Sequence, residues 1–354
     1  VIAFQRLALT GLSQGRAASA RGTAGRYAFG AAAPTTFQTM TATSLDIAFL
    51  LQLIGDAVPN ADTARPLVGT ATFERLEHAT AAGARFTAQR FVLSDLRIMP
   101  GAQRGDLGVL GSVDISDILL ATGPRQAGQP PMEVRMRAIA IGADRPTSDD
   151  VPTRYRARFE DVAVPLRADD PTPGTRNLRA LGLEAIRASG GFEASWSPRS
   201  RELRLDRLGV EFTELGSIAY TAVIANVALE AFTERAAIAN ARWGEAQLRS
   251  MSLTLKDLGF HRRVIEREAR ARSRPAAEIR ADVARAAEEV VRRATAGIAN
   301  RTIPDAVTRF VANPGTLFVS IAPKEGSTIA LSATMALGGL AQIADRLEVV
   351  ARTE

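Results

Sequence analysis

Apolar and polar side chains alternate along most of the first 258 residues. Phe4-Gln5-Arg6-Leu7-Ala8-Leu9, Phe86-Thr87-Ala88-Gln89-Arg90-Phe91, Val134-Arg135-Met136-Arg137 and Leu203-Arg204-Leu205-Asp206 all keep a period of two. That period puts alternate side chains on one face, so it predicts strands with a single buried side. Turn-forming stretches such as Gly128 to Pro131 and Asp169 to Gly174 divide these runs. Within this region only Ile47 to Val58 carries a helical pattern.

A short element interrupts the alternation. In it, an apolar residue is followed by two residues, one usually acidic, and then by an apolar residue that resumes the period. Leu93-Ser94-Asp95-Leu96, Phe159-Glu160-Asp161-Val162, Phe212-Thr213-Glu214-Leu215 and Leu255-Lys256-Asp257-Leu258 carry it, and Ile115-Ser116-Asp117-Ile118 and Leu205-Asp206-Arg207-Leu208 are weaker copies. Two residues between apolar positions would turn the following segment over. A β-bulge keeps both flanks on one core, so these copies predict bent, strongly twisted strands.

After residue 258 the period lengthens. Ile279, Val283, Ala287, Val290, Ala294 and Ile298 fall three or four apart, and Pro275 suits a first helical turn. A helix over about Phe260 to Arg272 precedes this one. Another begins at Thr302-Ile303-Pro304-Asp305 and stops near Asn313-Pro314-Gly315. Strands return at Leu317 to Ile321 and Ile329 to Ala333, and Met335 to Val350 fits helix or strand equally. The pattern predicts an α+β, mainly β protein of ten to thirteen strands. Its sheets are long, bent and antiparallel, with bulged strands and a helical insert near the C-terminus. Residues 1–174 form an N-terminal β-rich half, and residues 175–354 a C-terminal β-rich half holding the insert at about 260–312.

Composition narrows the chemistry. With 354 residues and 46% apolar content the chain can bury a sizeable core. It has no cysteine, which removes disulfides and thiolate chemistry, and only His78 and His261 as histidines. Lys256 and Lys324 are the only lysines among 44 basic residues, a bias expected of a GC-rich genome. The insert concentrates the positive charge, and Arg262, Arg263, Arg267, Arg270, Arg272 and Arg274 form a cluster suited to anionic headgroups. Glu266, Glu268 and Glu278 offer the plainer alternative of a solvated, partly neutralised face. Aromatic residues make up 5% of the chain, too few for the stacking platforms of single-stranded nucleic acid binders, so no specific nucleic acid is expected. The chain opens at Val1 directly on a strand pattern, which predicts a removed upstream signal peptide or membrane anchor.

Gly11-Leu12-Ser13-Gln14-Gly15 has the G-x-S-x-G form of a serine nucleophile elbow. It lacks the context. Arg16 to Gly25 is rich in Gly, Ala and Arg, and reads as a glycine-rich loop rather than the helix an elbow requires. The acidic pairs Asp149-Asp150 and Asp169-Asp170 sit beside prolines and read as solvated loops, and no phosphate-cradling glycine motif follows a strand. No catalytic residue, metal site or cofactor is predicted.

From Phe192 to Leu258 the texture becomes recognisable: Trp196-Ser197-Pro198, then Leu203 to Val210, Glu214-Leu215-Gly216-Ser217-Ile218, and Leu253-Thr254-Leu255-Lys256-Asp257-Leu258-Gly259. This rhythm resembles the strand repeats of bacterial envelope proteins in the broad AsmA-like and YdgA-like (DUF945) group. Pro314 to Pro323 resembles a strand that closes such segments. The resemblance implies an exported protein, periplasmic in a Gram-negative bacterium, whose curved sheet holds lipid on an apolar face. Six strands about 4.8 Å apart would make a trough of about 29 Å. The expected function is non-catalytic binding or transfer of a lipid or other hydrophobic ligand, with the basic insert meeting an anionic membrane surface. The alternative is a structural or assembly subunit that binds other envelope proteins through strand edges. A third reading is a serine esterase using Ser13.

Overall fold

The computed structural model describes the chain apart from residues 1, 29–32, 55–64, 81, 100–107, 124–130, 145–152, 171, 234–235, 295–301 and 333–342. It divides into two compact units, Val1–Pro165 and Leu166–Glu354. Val58, Gly128 to Pro130, Asp149-Asp150, Ile298 and the first half of Met335 to Val350 lie outside the described residues.

The first unit is a meander of β1 (Ile2–Thr10), β2 (Arg16–Tyr27), β3 (Thr35–Asp46), β4 (Arg65–Ala79), β5 (Arg85–Met99), β6 (Gly108–Ala121), β7 (Glu133–Asp144) and β8 (Arg154–Pro165). Each strand pairs antiparallel with its neighbours in sequence. One helix, α1 (Ile47–Ile54), lies between β3 and β4. The expected glycine-rich loop at Arg16 to Gly25 is instead strand β2. Its glycines have a packing reason: a Cβ on Gly22 would lie 2.5 Å from the Phe4 ring, and one on Gly25 would lie 2.0 Å from the ring of Phe37. Two phenylalanines fill the space that side chains on β2 would take.

The interrupting element proves to be a property of the whole unit. Every strand from β1 to β8 steps by three residues, once or twice, between apolar positions, as in Phe37, Met40, Ala42, Leu45 on β3 and Ala88, Phe91, Leu93, Leu96 on β5. The steps are aligned across the sheet. Flanking pairs such as Glu74↔Arg90 and Leu76↔Ala88 place Gln5, Ala24, Gln38, Arg75, Gln89, Asp117, Arg137 and Asp161 side by side in one transverse line. Within it Ala24, Arg75, Asp117 and Asp161, all on even-numbered strands, have φ between 45° and 51°. A second line lies six residues away along each strand, about 20 Å. There the left-handed residues are Gly11, just after β1, Ser44 on β3 and Asp95 on β5, and they face the small residues Ala18, Gly69 and Gly111. One residue of each facing pair turns left-handed, except that Gly111, opposite Asp95, also has a positive φ of 140°. Because the neighbour also carries two residues at that step, register is kept along the first line, and along the second as far as β5.

This corrects the expectation of bulges at Ile115 to Ile118 and Phe159 to Val162, where the ladder runs through without a shift. Leu93 to Leu96 is in register with β4 and shifted only against β6. Leu205 to Leu208 is a bulge against both neighbours.

The first helix of the second unit is α2 (Pro173–Ala180), which starts at the end of the stretch Asp169 to Gly174 expected to be a turn. The strands β9 (Ala185–Ser197), β10 (Glu202–Phe212) and β11 (Gly216–Ala225) follow, then α3 (Glu230–Thr233), α4 (Ala236–Glu245) and β12 (Gln247–Asp257). The insert comprises α5 (Phe260–Arg272), α6 (Ala276–Ala294) and α7 (Thr302–Ala312), before β13 (Thr316–Pro323), β14 (Ile329–Ala330) and β15 (Leu347–Thr353). The sheet order is β9-β10-β11-β12-β13-β15, all antiparallel, with β14 beside the start of β12. Phe212 to Leu215 is the β10–β11 turn, with Glu214 at φ 65°. Leu255 to Leu258 is a strand end, where Asp257 Oδ1 accepts the N–H groups of Gly259 and His261 and so opens α5. Both units are strand-dominated. Among the described residues fifteen strands are present, more than the predicted ten to thirteen, partly because β2 has too few large apolar residues to show its period.

Candidate functional site

The first unit's sheet has one apolar side. Register sets Gly22, Met40, Phe73, Phe91, Ile115, Ile139 and Phe159 in one row across β2 to β8, with Ala20, Ala42, Ala71, Leu93, Val113 and Ile141 in the next. Edge-to-face phenylalanines bind the rows together. Ring centroids are 5.7 Å apart for Phe4 and Phe37, 5.2 Å for Phe37 and Phe73, and 6.0 Å for Phe73 and Phe91. Cover is graded. Met40, Ala42 and Ala71 on β3 and β4 are buried, whereas in the same rows Phe73, Ile115, Ile139 and Phe159 are half-buried and Ile141 is 54% exposed; the adjacent row keeps Phe37, Leu76, Ala88 and Ile118 buried as far as β6. Leu7 on β1 and Leu120 on β6 are also exposed, at 47% and 38%. Helix α1 packs Phe49 against Leu67 and Leu96, and the Asp46 carboxylate accepts the Phe49 N–H at 2.9 Å as its cap.

The intervening positions are polar. Thr39 donates its hydroxyl to Glu74 at 2.7 Å, Arg85 pairs with Glu77 at 2.8 Å, and Arg137 pairs with Glu160 at 2.8 Å. A groove of ≈ 540 Å³ involves Arg75, Arg85, Gln89 and Asp117.

In the second unit α7 covers the sheet at β12, β13 and β15, while Leu208 and Phe192, farther along the same row, are 44% and 37% exposed. Ile303, Ala306, Val307 and Phe310 of α7 pack on Leu255, Leu317, Val319 and Ala351. Trp196, buried, donates its indole N–H to the Val227 carbonyl at 3.1 Å and meets Phe232 at 5.0 Å, which in turn meets Trp243. The short helices α3 and α4 that bring these rings together were not legible in the sequence.

The six arginines of the predicted cluster separate by role. Arg263 is structural: it donates to the Leu181 carbonyl at 3.3 Å and pairs with Glu214. Arg267 and Arg272 both pair with Glu268, whose carboxyl is held below its ordinary range first by the Arg267 hydrogen bonds. Arg274 reaches Glu278 at 3.1 Å and Asp282 at 2.7 Å, which raises its own pKa. Arg262 and Arg270 are exposed on α5.

Ser13 occupies a hairpin turn. Its N–H and carbonyl both bond Arg16 at 2.9 Å, and Gln14 and Gly15 have φ of 49° and 78°, a two-residue turn with both central residues left-handed. The chain continues into β2, so no helix backs the serine. His78 bonds Thr35 at 3.1 Å, and Thr35 faces Tyr27 at the other end of β2, about 36 Å along the strand from Arg16. Asp169 pairs with Arg167 at 2.6 Å, and Asp170 accepts from Thr172 and Thr175 at the start of α2, so both carboxylates are occupied locally. Among the described residues no three histidine or acidic side chains are placed to hold a metal. No described helix is long and apolar enough to cross a membrane.

A family model described only as an uncharacterized protein matches residues 209–354, which begin within β10 and run through the helical insert. Comparison with curated proteins gives no match.

Proposed function

We propose that the protein binds a lipid or another hydrophobic ligand, without catalysis, on the apolar side of its N-terminal sheet, as an exported component of the bacterial envelope. The observation behind this reading is the gradient of cover across one apolar surface. Two rows that hold buried Met40, Ala42 and Ala71 on β3 and β4 continue onto β6 to β8 with Ile115, Ile139 and Phe159 half-buried and Ile141 exposed. Soluble monomers rarely leave contiguous apolar area uncovered, and such area marks a ligand or partner surface. Eight strands span about 34 Å between the outermost two, room for an extended acyl chain. Shielding ten methylenes there is worth about 8 kcal/mol before ordering costs, the scale of a micromolar complex. On the second unit, the exposed Arg262 and Arg270 are the proposed contacts for an anionic membrane surface.

Native mass spectrometry of the gently purified chain tests this reading. The expected result is a lipid-sized mass adduct that organic extraction removes, and that is depleted in Ile141→Asp while the circular dichroism spectrum stays β-rich. A wild-type chain that carries no adduct and does not take up a fluorescent fatty acid overturns it.

A further inference from the structure

The apolar side of the N-terminal sheet has one polar corner. A further row on that side runs Tyr27, Thr35, His78, Phe86, Leu120 and Val134 across β2 to β7, next to the row of Phe37, Leu76, Ala88 and Ile118. With the rows of Met40 and of Ala42 these make four, and within them polar side chains occur only at Tyr27, Thr35 and His78. Thr35 is 6% exposed, and its Oγ1 lies 3.1 Å from Nδ1 of the half-buried His78.

In either tautomer one donor of this pair is left over. If Thr35 donates to Nδ1, the ring proton is on Nε2; if Nδ1 donates to Thr35, the hydroxyl hydrogen remains, and a protonated ring adds Nε2–H. No carboxylate shares the four rows. Glu77 and Arg85, next to His78 and Phe86 in sequence, lie on the other side of the sheet and pair with each other at 2.8 Å.

From this corner an open strip leads away. The row continues through half-buried Phe86, Leu120 at 38% exposed and half-buried Val134, about 14 Å over three strand spacings. Along β7 it then passes Met136 and Ile139 to the exposed Ile141, and so skirts the buried Ala88 and Ile118. A ligand matched to this arrangement has one apolar chain and one small head that accepts hydrogen bonds. An amine head would find no carboxylate there. A phosphodiester head would find neither arginine nor lysine in these rows.

We propose that the ligand is a long-chain carboxylic acid, with its carboxylate bonded by His78 Nε2, Thr35 fixing the ring, and the chain lying along the Phe86, Leu120 and Val134 strip. This rests on the proposed binding of a hydrophobic ligand by this sheet and adds the chemistry of the head. A charge-assisted bond is about twice as strong as a neutral one, so one imidazole is enough to favour an acid over an alcohol of equal length.

Displacement of Nile red, a neutral dye, by dodecanoic acid and by dodecanol at neutral pH separates the two claims. The wild type should bind the dye. His78→Ala should weaken the acid about tenfold or more while the alcohol changes less than twofold, so that the ratio of their Kd values moves even if the variant is less stable. His78→Gln, which still accepts from Thr35 and keeps a neutral donor, should fall between. In His261→Gln, where His78 is the sole histidine, dodecanoic acid should shift the imidazole signals in proton NMR and dodecanol should not. Dye binding with the same acid-to-alcohol ratio in wild type and His78→Ala, or displacement by dodecylphosphocholine that exceeds the acid's, overturns the carboxylate assignment and leaves hydrophobic binding standing. A wild type that binds neither dye nor acid overturns both.

Discussion

Asp95 and Gly111 meet backbone to backbone across β5 and β6. Asp95 takes φ 48°, and a Cβ on Gly111, itself at φ 140°, would stand 2.6 Å from the Ser94 carbonyl oxygen and 2.8 Å from that of Asp95. The left-handed turn on one strand thus requires a missing side chain on the next. Gly111→Ala should destabilise the N-terminal unit by about 2 kcal/mol or more, since it combines a disfavoured φ with a main-chain collision. Asp95→Gly should stay within about 1 kcal/mol of wild type, because glycine adopts the left-handed conformation freely. Urea unfolding of both variants checks the pair, and equal midpoints would refute the relationship.

This contact also marks how far the sequence could be read. Alternation identified the strands, and the apolar-x-x-apolar element with its acid was visible at Asp95, Asp117 and Asp161. Aspartate recurs there because a short polar side chain tolerates the left-handed region. A break in period cannot distinguish a bulge in one strand from a step shared by all its neighbours. That difference is set by tertiary pairing, which local pattern does not contain. The insert helices α5 to α7 were legible because their apolar stripes are long. By contrast α2 to α4 are at most ten residues, and they are held by contacts such as Trp196 with Phe232 rather than by their own periodicity. Of the candidate site, the apolar residues were legible one strand at a time. The graded cover of the face was not, since it depends on which rows align.

Helix α1 depends on a cap that the apolar run alone does not reveal. Asp46, buried at the end of β3, accepts the Phe49 N–H and lies 3.6 Å from Arg65, whose guanidinium sits 4.4 Å from the centre of the Phe49 ring. Asp46→Ala should lower the stability of the N-terminal unit by about 1 to 2 kcal/mol, and Asp46→Asn by less, because asparagine still accepts the bond. Thermal melts of the two variants give the comparison. Equal losses would show that charge, rather than the cap, is what matters.

Trp196 ties β9 to the segment after β11. Its indole N–H is satisfied only by the Val227 carbonyl in a fully buried setting, so Trp196→Phe removes the donor, leaves that carbonyl unpaired and opens a small void. A loss of roughly 2 to 3 kcal/mol follows from these combined effects. Hydrogen exchange should speed up at Val227 and along α3, while β1 to β8 stay as protected as in wild type. Uniform loss of protection across both units would contradict this assignment.

His261 gives the second unit a pH response. Its Nε2 is buried without a hydrogen-bond partner. Burial holds the imidazole below its ordinary pKa of 6.5; the Asp257 carboxylate opposes this, and the Arg280 guanidinium on α6 reinforces it. The unfolded chain therefore takes up the proton at a higher pH than the folded one. The stability this contributes is fully present above the unfolded pKa, and it is lost as the pH falls through that value toward the folded pKa. Only two histidines are present, so replacing His78 assigns the remaining imidazole signal in a proton NMR titration. That signal should titrate below the unfolded reference. Stability of the second unit should fall between pH 7.5 and pH 5.5 in the wild type, with the fall reduced in His261→Gln. A His261 signal that titrates at or above the reference would mean that Asp257 outweighs burial, and the slope of stability with pH would then change sign.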